Sequence, residues 1–260
     1  MRPTSVPFVA VCAALALALV GCGPKPAAQA PRGEAVSVSA AEYLSPPAPE
    51  AIQSGADGLT LAGTAPAGSR VRLATPQGQA LFSDADDKGR WRIALGKLPE
   101  PRVFGLSVTH KGRQAQAQGY VLVEPDGHGA LLRAGAAALR LDRSLAPGLR
   151  SLDFDREGGA VISASVTPGA TVQLRVDGAQ AAEGRAGAGG RVEIAVPTPI
   201  RPGAHRLQIY ADGVSDAVAV QVSPPAALAQ GPLRSQLTPA GLRVDWMTPG
   251  GGVQSTILIH

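Results

Sequence analysis

The chain of 260 residues carries 24 Lys and Arg against 20 Asp and Glu, and only 3% of its residues are aromatic. The basic residues are spread along the chain without a block of like charges. This argues against a nucleic-acid partner, which requires a basic stripe and rings for base stacking. Both cysteines, Cys12 and Cys22, lie near the start of the sequence, so the rest of the chain has no disulfide.

An apolar run lies close to the first residue. Arg2 precedes the almost wholly apolar stretch Pro7–Val20, which has the length of a signal-peptide core and is too short to span a bilayer. The run ends in Leu19–Cys22 (Leu-Val-Gly-Cys), which resembles the lipobox of bacterial lipoproteins. The resemblance implies that residues 1–21 are a signal peptide and that Cys22 is the lipid attachment site, starting the mature chain. An ordinary secretory peptide is the alternative interpretation.

The residues after the cysteine indicate location and a tether. Gly23, in place of Asp, resembles the outer-membrane sorting signal of enterobacterial lipoproteins. We therefore expect a lipid-anchored protein of the cell envelope, held at the outer membrane and facing the periplasm, with the membrane as a partner through its anchor. Residues 22–52 are rich in Pro and Ala and contain few large apolar side chains, which predicts an extended linker.

Beyond the linker, short runs of period two alternate with Gly, Pro and Asp clusters, which predicts an all-β chain. In Arg70–Ala74 and Arg90–Leu95 the arginines alternate with apolar residues, as in strands with one buried and one solvated face. The predicted strands of the first half are Leu59–Ala65, Arg70–Ala74, Gln79–Ser83, Arg90–Leu95, Val103–His110 and Gln114–Val123.

The sequence repeats itself at a fixed offset that places Val71 on Val172, Leu73 on Leu174 and Gly89 on Gly190. Because turn glycines and alternating apolar positions coincide, we predict two domains of one fold, residues 53–126 and 148–224. Residues 127–147 form a connector that itself has β-forming character.

The repeats resemble bacterial immunoglobulin-like domains of cell-surface and periplasmic proteins. The resemblance is carried by Gly63–Val71 and Asp87–Trp91 in the first copy and by Thr167–Gly178 in the second. It implies two tandem β-sandwiches. The second copy departs from the pattern, since Gly187–Gly190 replaces the acidic turn and Val192 stands where the first copy has Trp91.

The tail, residues 225–260, contains two β-forming runs on either side of a Pro-Gly turn, which predicts a C-terminal hairpin. An isolated hairpin is marginal in water, so it should either add strands to a sandwich or pair with another chain. Trp91 should fill the first core. Trp246 shares a strand face with Val244, which favours a packed hairpin over an open glycan platform.

The sequence offers little material for catalysis, and we predict no catalytic residue, no cofactor and no metal site. The four histidines, His110, His128, His205 and His260, lack metal-ligand spacing, and there is no nucleophile motif. The acidic cluster at residues 84–87 is compatible with calcium, but the second copy has no acid there, which favours a polar turn.

We therefore expect a non-enzymatic envelope protein that acts as a spacer or protein-interaction module, with an envelope protein or polysaccharide as partner. The alternative is an accessory protein that binds peptidoglycan or another envelope polysaccharide. In that case outward arginines such as Arg70, Arg72, Arg90 and Arg92 would meet anionic groups, and an exposed cleft of arginine and aromatic residues should lie between the domains.

Overall fold

The computed structural model describes residues 43–142 and 146–260, and this part of the chain is built entirely from β-strands, turns and loops. The predicted signal peptide, Cys22 and most of the predicted linker lie outside the described residues. Within the described ranges, the structure offers no helix with the length and apolar character that a membrane crossing requires.

The first sandwich consists of a three-stranded sheet, sheet I, facing a larger one, sheet II. Sheet I has the order β1-β2-β5, and sheet II has the order β4-β3-β6-β7-β8-β9. All the pairings are antiparallel. Its strands are β1 (Ala48–Gly55), β2 (Gly58–Thr64), β3 (Arg70–Ala74), β4 (Ala80–Asp84), β5 (Arg90–Gly96), β6 (Arg102–His110), β7 (Arg113–Val123), β8 (Gly129–Leu132) and β9 (Leu139–Arg140).

Alternation places the core of this sandwich as the sequence predicts. Val71 and Leu73 are buried, whereas Arg70 before them is exposed and Arg72 between them is half-buried. Trp91 is 2% exposed and belongs to the first core, which confirms its predicted place. A Cβ at Gly63 would lie 2.6 Å from the Trp91 ring, so the glycine provides the space that the indole fills. Each of the six predicted strands agrees with an observed strand to within one residue at either end.

The second sandwich repeats this strand order. Sheet III contains β14-β11-β10 and sheet IV has the order β13-β12-β15-β16. Seven strands arranged three against four form an immunoglobulin-like sandwich, so the predicted all-β fold with two tandem sandwiches is confirmed. The strands are β10 (Gly148–Phe154), β11 (Ala160–Ser165), β12 (Thr171–Val176), β13 (Ala179–Arg185), β14 (Arg191–Val196), β15 (Gly203–Ala211) and β16 (Val214–Val222).

Strands outside the repeat extend one sheet of each sandwich. β8 and β9, from the connector, continue sheet II beyond β7, whereas the tail adds β19, β18 and β17 to sheet III beside β10. The predicted hairpin is present as β18 and β19, and β19 pairs with β10 of the same chain. The tail strands are β17 (Leu233–Thr238), β18 (Gly241–Met247) and β19 (Val253–Ile259).

The structure differs from the prediction at one boundary and by one additional strand. β1 begins at Ala48 and pairs with β2, so the first sheet begins inside the segment predicted as linker. Pro46 and Pro47 precede it directly, which explains why the composition there suggested a tether. The tail also holds a third strand, β17, before the hairpin, and its mixed sequence shows little alternation.

A third core joins the two sandwiches. On β7, Val121 and Val123 face the first core. Leu122, which lies between them, points to the opposite face of the sheet and is fully buried there. Trp246 on β18 and Leu258 on β19 belong to the same cluster. The outer faces of the two extended sheets therefore pack on each other, and burying each large side chain contributes roughly 1.5–3 kcal/mol.

Candidate functional site

A cleft opens between the first sandwich and the tail strands. One cavity of about 420 Å³ is bounded by strands β3, β6 and β7 on one side and by the β18–β19 turn on the other. A second cavity of about 520 Å³ shares four lining residues with it and continues toward β17. We call the combined space the interdomain cleft, and the shared residues are Thr75, Pro76, Val103 and Pro232.

The floor of the cleft follows from strand alternation. On β3, Val71 and Leu73 point into the core, so Arg72 and Ala74 point out into the cleft. Ala74 pairs with Gly105 on β6, and a Cβ at Gly105 would have no neighbour closer than 4.0 Å. Because Ala74 and Gly105 are small and lie side by side, the floor of the cleft stays open above them.

The aromatic residues of the cleft form its wall. Trp246 is 1% exposed and its Nε1 donates a hydrogen bond to Thr256 Oγ1 at 3.1 Å. Tyr120 packs edge-on against it, with ring centroids 6.0 Å apart and planes at 86°. The packed-hairpin prediction for Trp246 is confirmed. Because Trp246 is almost completely buried, its ring does not offer a free face on which a sugar could stack.

The four arginines named for polysaccharide binding do not converge. Arg70 and Arg72 lie on the outer face of sheet II, whereas Arg90 and Arg92 lie on sheet I, on the opposite side of the sandwich. The four arginines therefore do not form one surface, because β3 and β5 belong to different sheets. Of these four arginines, Arg72 alone lines the interdomain cleft. A fifth, Arg102, lines the second cavity, which is the polar part of the cleft.

A buried carboxylate holds the wall of the cleft in place. Asp153 on β10 accepts hydrogen bonds from the backbone N–H of Ala138 (2.8 Å), from Ser151 Oγ (2.8 Å) and from Thr256 Oγ1 (2.6 Å). Burial raises the pKa of Asp153 to about 6, although these hydrogen bonds by themselves would lower it. The network ties the connector to β10 and β19, and none of these residues was identified from the sequence, where Asp153 is an unremarkable acid in a strand.

A second carboxylate organises the tail strands. Asp245 on β18 accepts hydrogen bonds from Arg243 Nε (2.9 Å) and Ser255 Oγ (2.6 Å), and it also pairs with Arg234 on β17. Burial alone would raise the pKa of Asp245, but these hydrogen bonds outweigh it and lower the pKa. The Arg234–Asp245 pair fixes β17 against β18 of the hairpin.

A cluster of titratable groups lies where the connector meets the ends of β7 and β19. Burial raises the pKa of Glu124, at the end of β7, to about 7. Arg140 donates to the carbonyl of Ile259 at 3.1 Å and pairs with Asp142, and this joins the connector to β19. The rings of His128 and His260 meet edge to face at 5.5 Å.

The arrangement gives no catalytic dyad or metal centre in the parts of the chain that the structure describes. His205 Nδ1 lies 2.7 Å from Asp177 Oδ2, and its Nε2 lies 2.7 Å from the carbonyl oxygen of Arg201. Burial by itself would lower the pKa of His205, but the hydrogen bond to Asp177 outweighs it, and the pKa is raised. With both nitrogens engaged, the ring holds a loop and has no lone pair for a substrate. Residues 43–142 and 146–260 bring together no metal-binding group of three His, Cys, Asp or Glu residues.

The acidic cluster of the first sandwich is a turn. Asp86 Oδ1 accepts hydrogen bonds from the backbone N–H groups of Lys88 (2.9 Å) and Arg90 (2.8 Å). The Arg90 N–H, together with the other donors of the turn, lowers the pKa of Asp86. The polar-turn interpretation is therefore confirmed, since the Asp86 carboxylate accepts hydrogen bonds from the backbone of the turn itself.

No family model and no curated protein sequence matches the chain. Among solved structures, it is similar to the BSP domain of a biofilm associated protein at 16% identity and a TM-score of 0.25, covering 71% of this chain and 30% of that one. It is also similar to the central fibronectin-III array of RIM-binding protein, at 14% identity and a TM-score of 0.27, covering 82% and 89%.

A third similar structure is invasin, a bacterial integrin-binding protein, at 14% identity and a TM-score of 0.23, covering 79% of this chain and 46% of that one. The chain thus spans less than half of the length of the first and third of these structures. At such values the fold assignment rests on the strand order and cores of this chain.

Proposed function

We propose that the chain is a non-catalytic, lipid-anchored protein of the cell envelope that acts as a stiff spacer and presents an interaction surface for another protein. The observation that carries this proposal is the third core, in which Leu122 of the first sandwich is buried with Trp246 and Leu258 of the tail strands. Domains joined by a linker alone move relative to each other, whereas a packed apolar interface holds them in one orientation.

Polar contacts support the same role. The Asp153 network crosses from the connector to β19, and Gln254 Oε1 accepts a hydrogen bond from the backbone N–H of Gly135 at 3.0 Å. Buried and fully paired polar groups resist sliding because any shift leaves a donor or acceptor unpaired. A body of this kind, attached through Cys22, would keep a fixed distance and orientation between its two ends.

The chemistry of the interdomain cleft favours a protein partner. Pro76, Pro232 and Pro249 line it together with Met247, which is 41% exposed. Methionine adapts its shape to different apolar surfaces, and rigid prolines lose little entropy when they are covered. Such a surface suits apolar side chains of a protein partner, with Arg72 at its margin for an acidic group.

The anchor is tested by mass spectrometry of membrane-extracted protein, wild type beside Cys22→Ser. We expect an acylated N-terminus at Cys22 that is absent from the variant. An unmodified, soluble wild-type protein would contradict the proposed anchor. The chain would then be interpreted as a secreted protein without a lipid.

The interaction surface is tested by a photo-crosslinking residue at position 247 in the cleft. Tyr210 is a matched control site, since it is 38% exposed and lies on the second sandwich, away from the cleft. We expect a discrete protein adduct in cells from position 247 and none from position 210. Equal labelling at both sites would argue against the cleft.

The polysaccharide-binding alternative has one observation in its favour. The polar part of the cleft brings Arg102 together with Gln77, Gln79 and Gln230, whose guanidinium and amide groups suit sugar hydroxyls and carboxylates. Co-sedimentation with purified peptidoglycan, comparing wild type with Arg102→Ala, separates the two candidates. Binding that is lost in the variant would favour the polysaccharide, and absence of binding would leave the protein partner.

A further inference from the structure

Strand β4 (Ala80–Asp84) forms one edge of sheet II and pairs with β3 without a register shift. The backbone N–H of Thr75 donates to the carbonyl of Gln79 at 2.8 Å, which sets the phase of the ladder. Hydrogen-bonded and non-bonded pairs alternate from there, so the N–H and C=O of Phe82 point away from β3. Among the described residues, no strand pairs with that side of β4.

Large apolar side chains stand on this open edge. Phe82 is 50% exposed and Leu81 is 42% exposed. The guanidinium of Arg70 lies 4.9 Å from the centre of the Phe82 ring, which holds the ring on the outer face of the sheet. An edge with free backbone groups and apolar side chains is a template for another strand.

The other edge strands that the structure describes are protected, either by extreme shortness or by a feature that hinders pairing. In β13, the counterpart of β4 in the second sandwich, the register shifts beside Ala181 and Glu183 adds a charge. The remaining edges carry Pro49 with a register shift in β1, Arg92 in β5, Glu193 in β14, Asp216 in β16 and Arg234 in β17, while β9 has only two residues.

We propose that β4 pairs antiparallel with β4 of a second copy of this chain, about a two-fold axis at Phe82. In this register Phe82 lies opposite Phe82 of the second copy, and the outward-pointing backbone groups of the two strands meet. Asp84, the one charged residue of β4, then faces Ala80 rather than another charge. The strand is thus complementary to itself, as an isologous interface requires, and the pairing joins two six-stranded sheets into one.

This inference goes beyond the proposed function, because strand pairing between copies requires neither the lipid nor the interdomain cleft. It is tested by sedimentation velocity of the full chain carrying Cys22→Ser, over a wide range of concentration. We expect a concentration-dependent dimer. Phe82→Glu places two carboxylates opposite each other at the axis and should raise the dissociation constant about tenfold or more. The matched control is Ala179→Glu, an exposed position on β13, which should leave the dimer unchanged.

Covalent trapping provides an independent measurement. Antiparallel hydrogen-bonded pairs bring Cα atoms to about 5.5 Å, within the range of a disulfide. In the full chain carrying Cys12→Ser and Cys22→Ser, Phe82→Cys should therefore form a disulfide-linked dimer under mild oxidation, and Ala179→Cys should not. A wild-type chain that stays monomeric, or a dimer that survives Phe82→Glu and is not trapped by Phe82→Cys, would overturn the proposal.

Discussion

The two sandwiches have the same strand order and are extended on different sheets. The first gains β8 and β9 beside β7, on its four-stranded side, whereas the second gains β19, β18 and β17 beside β10, on its three-stranded side. The repeated sequence therefore accounts for most of two separate cores, and the connector and the tail strands build the third core against Leu122 of the first sandwich. What distinguishes this protein from two linked domains lies in the parts that were not duplicated.

The largest expected effect comes from breaking the unrepeated part. Trp246→Ala removes the largest side chain of the third core and should lower the free energy of unfolding by about 3–5 kcal/mol, as measured by denaturant titration. Met247→Ala, next in sequence and 41% exposed, is the control and should change it by less than about 1 kcal/mol. Small-angle scattering of the Trp246→Ala protein should also show a larger radius of gyration. Equal effects of the two substitutions would contradict the third core as the joint.

A second prediction tests what the two copies share. Gly89 and Gly190 occupy equivalent turns with φ of 75° and 73°, and a Cβ at either would lie 2.4 Å from a backbone carbonyl oxygen. Gly89→Ala and Gly190→Ala should each destabilise the protein by about 1–3 kcal/mol in thermal or denaturant unfolding. Gly68→Ala, at φ 67° but with nothing within 4 Å, should cost less. A large difference between Gly89→Ala and Gly190→Ala would show that the turns are not equivalent.

A third prediction concerns pH and the Asp153 network, whose effect is confined to a limited pH range. Burial raises the pKa of Asp153 from 3.8 to about 6, so the folded chain holds its proton at pH values where the unfolded chain has lost it. Stability from this group is therefore complete below about pH 4 and falls as the pH rises toward 6, by about 1–3 kcal/mol in all.

Asp153→Asn should remove the part of the pH dependence of stability that this carboxyl contributes between about pH 4 and pH 6. Glu124→Gln is the comparison, because the pKa of Glu124 is raised from 4.5 to about 7 and its contribution falls over that range, extending above the range of Asp153. A pH profile that Asp153→Asn leaves unchanged would mean that this carboxylate is not protonated in the fold.

Much of the architecture could be predicted because period-two patterns report local burial directly. Val71, Leu73 and Trp91 alternate with arginines, and the strands containing them lie where the pattern places them. The interdomain cleft could not be predicted in the same way. Arg72 and Arg92 look alike in the sequence, since each follows a buried residue in a strand, and only the assignment of β3 and β5 to different sheets separates them.

The sequence by itself determined the all-β class, the two repeated sandwiches, the hairpin and the position of both tryptophans, because each depends on alternation and turn chemistry within a few residues. The tertiary structure decided that β19 pairs with β10, that Leu122 faces a third core and that Asp153 is buried. These features depend on contacts between segments far apart in the chain, such as Asp153 with Thr256, which no local pattern records. The edge of β4 combines both, since its apolar residues are visible in the sequence and its lack of a pairing strand is visible only in the sheet.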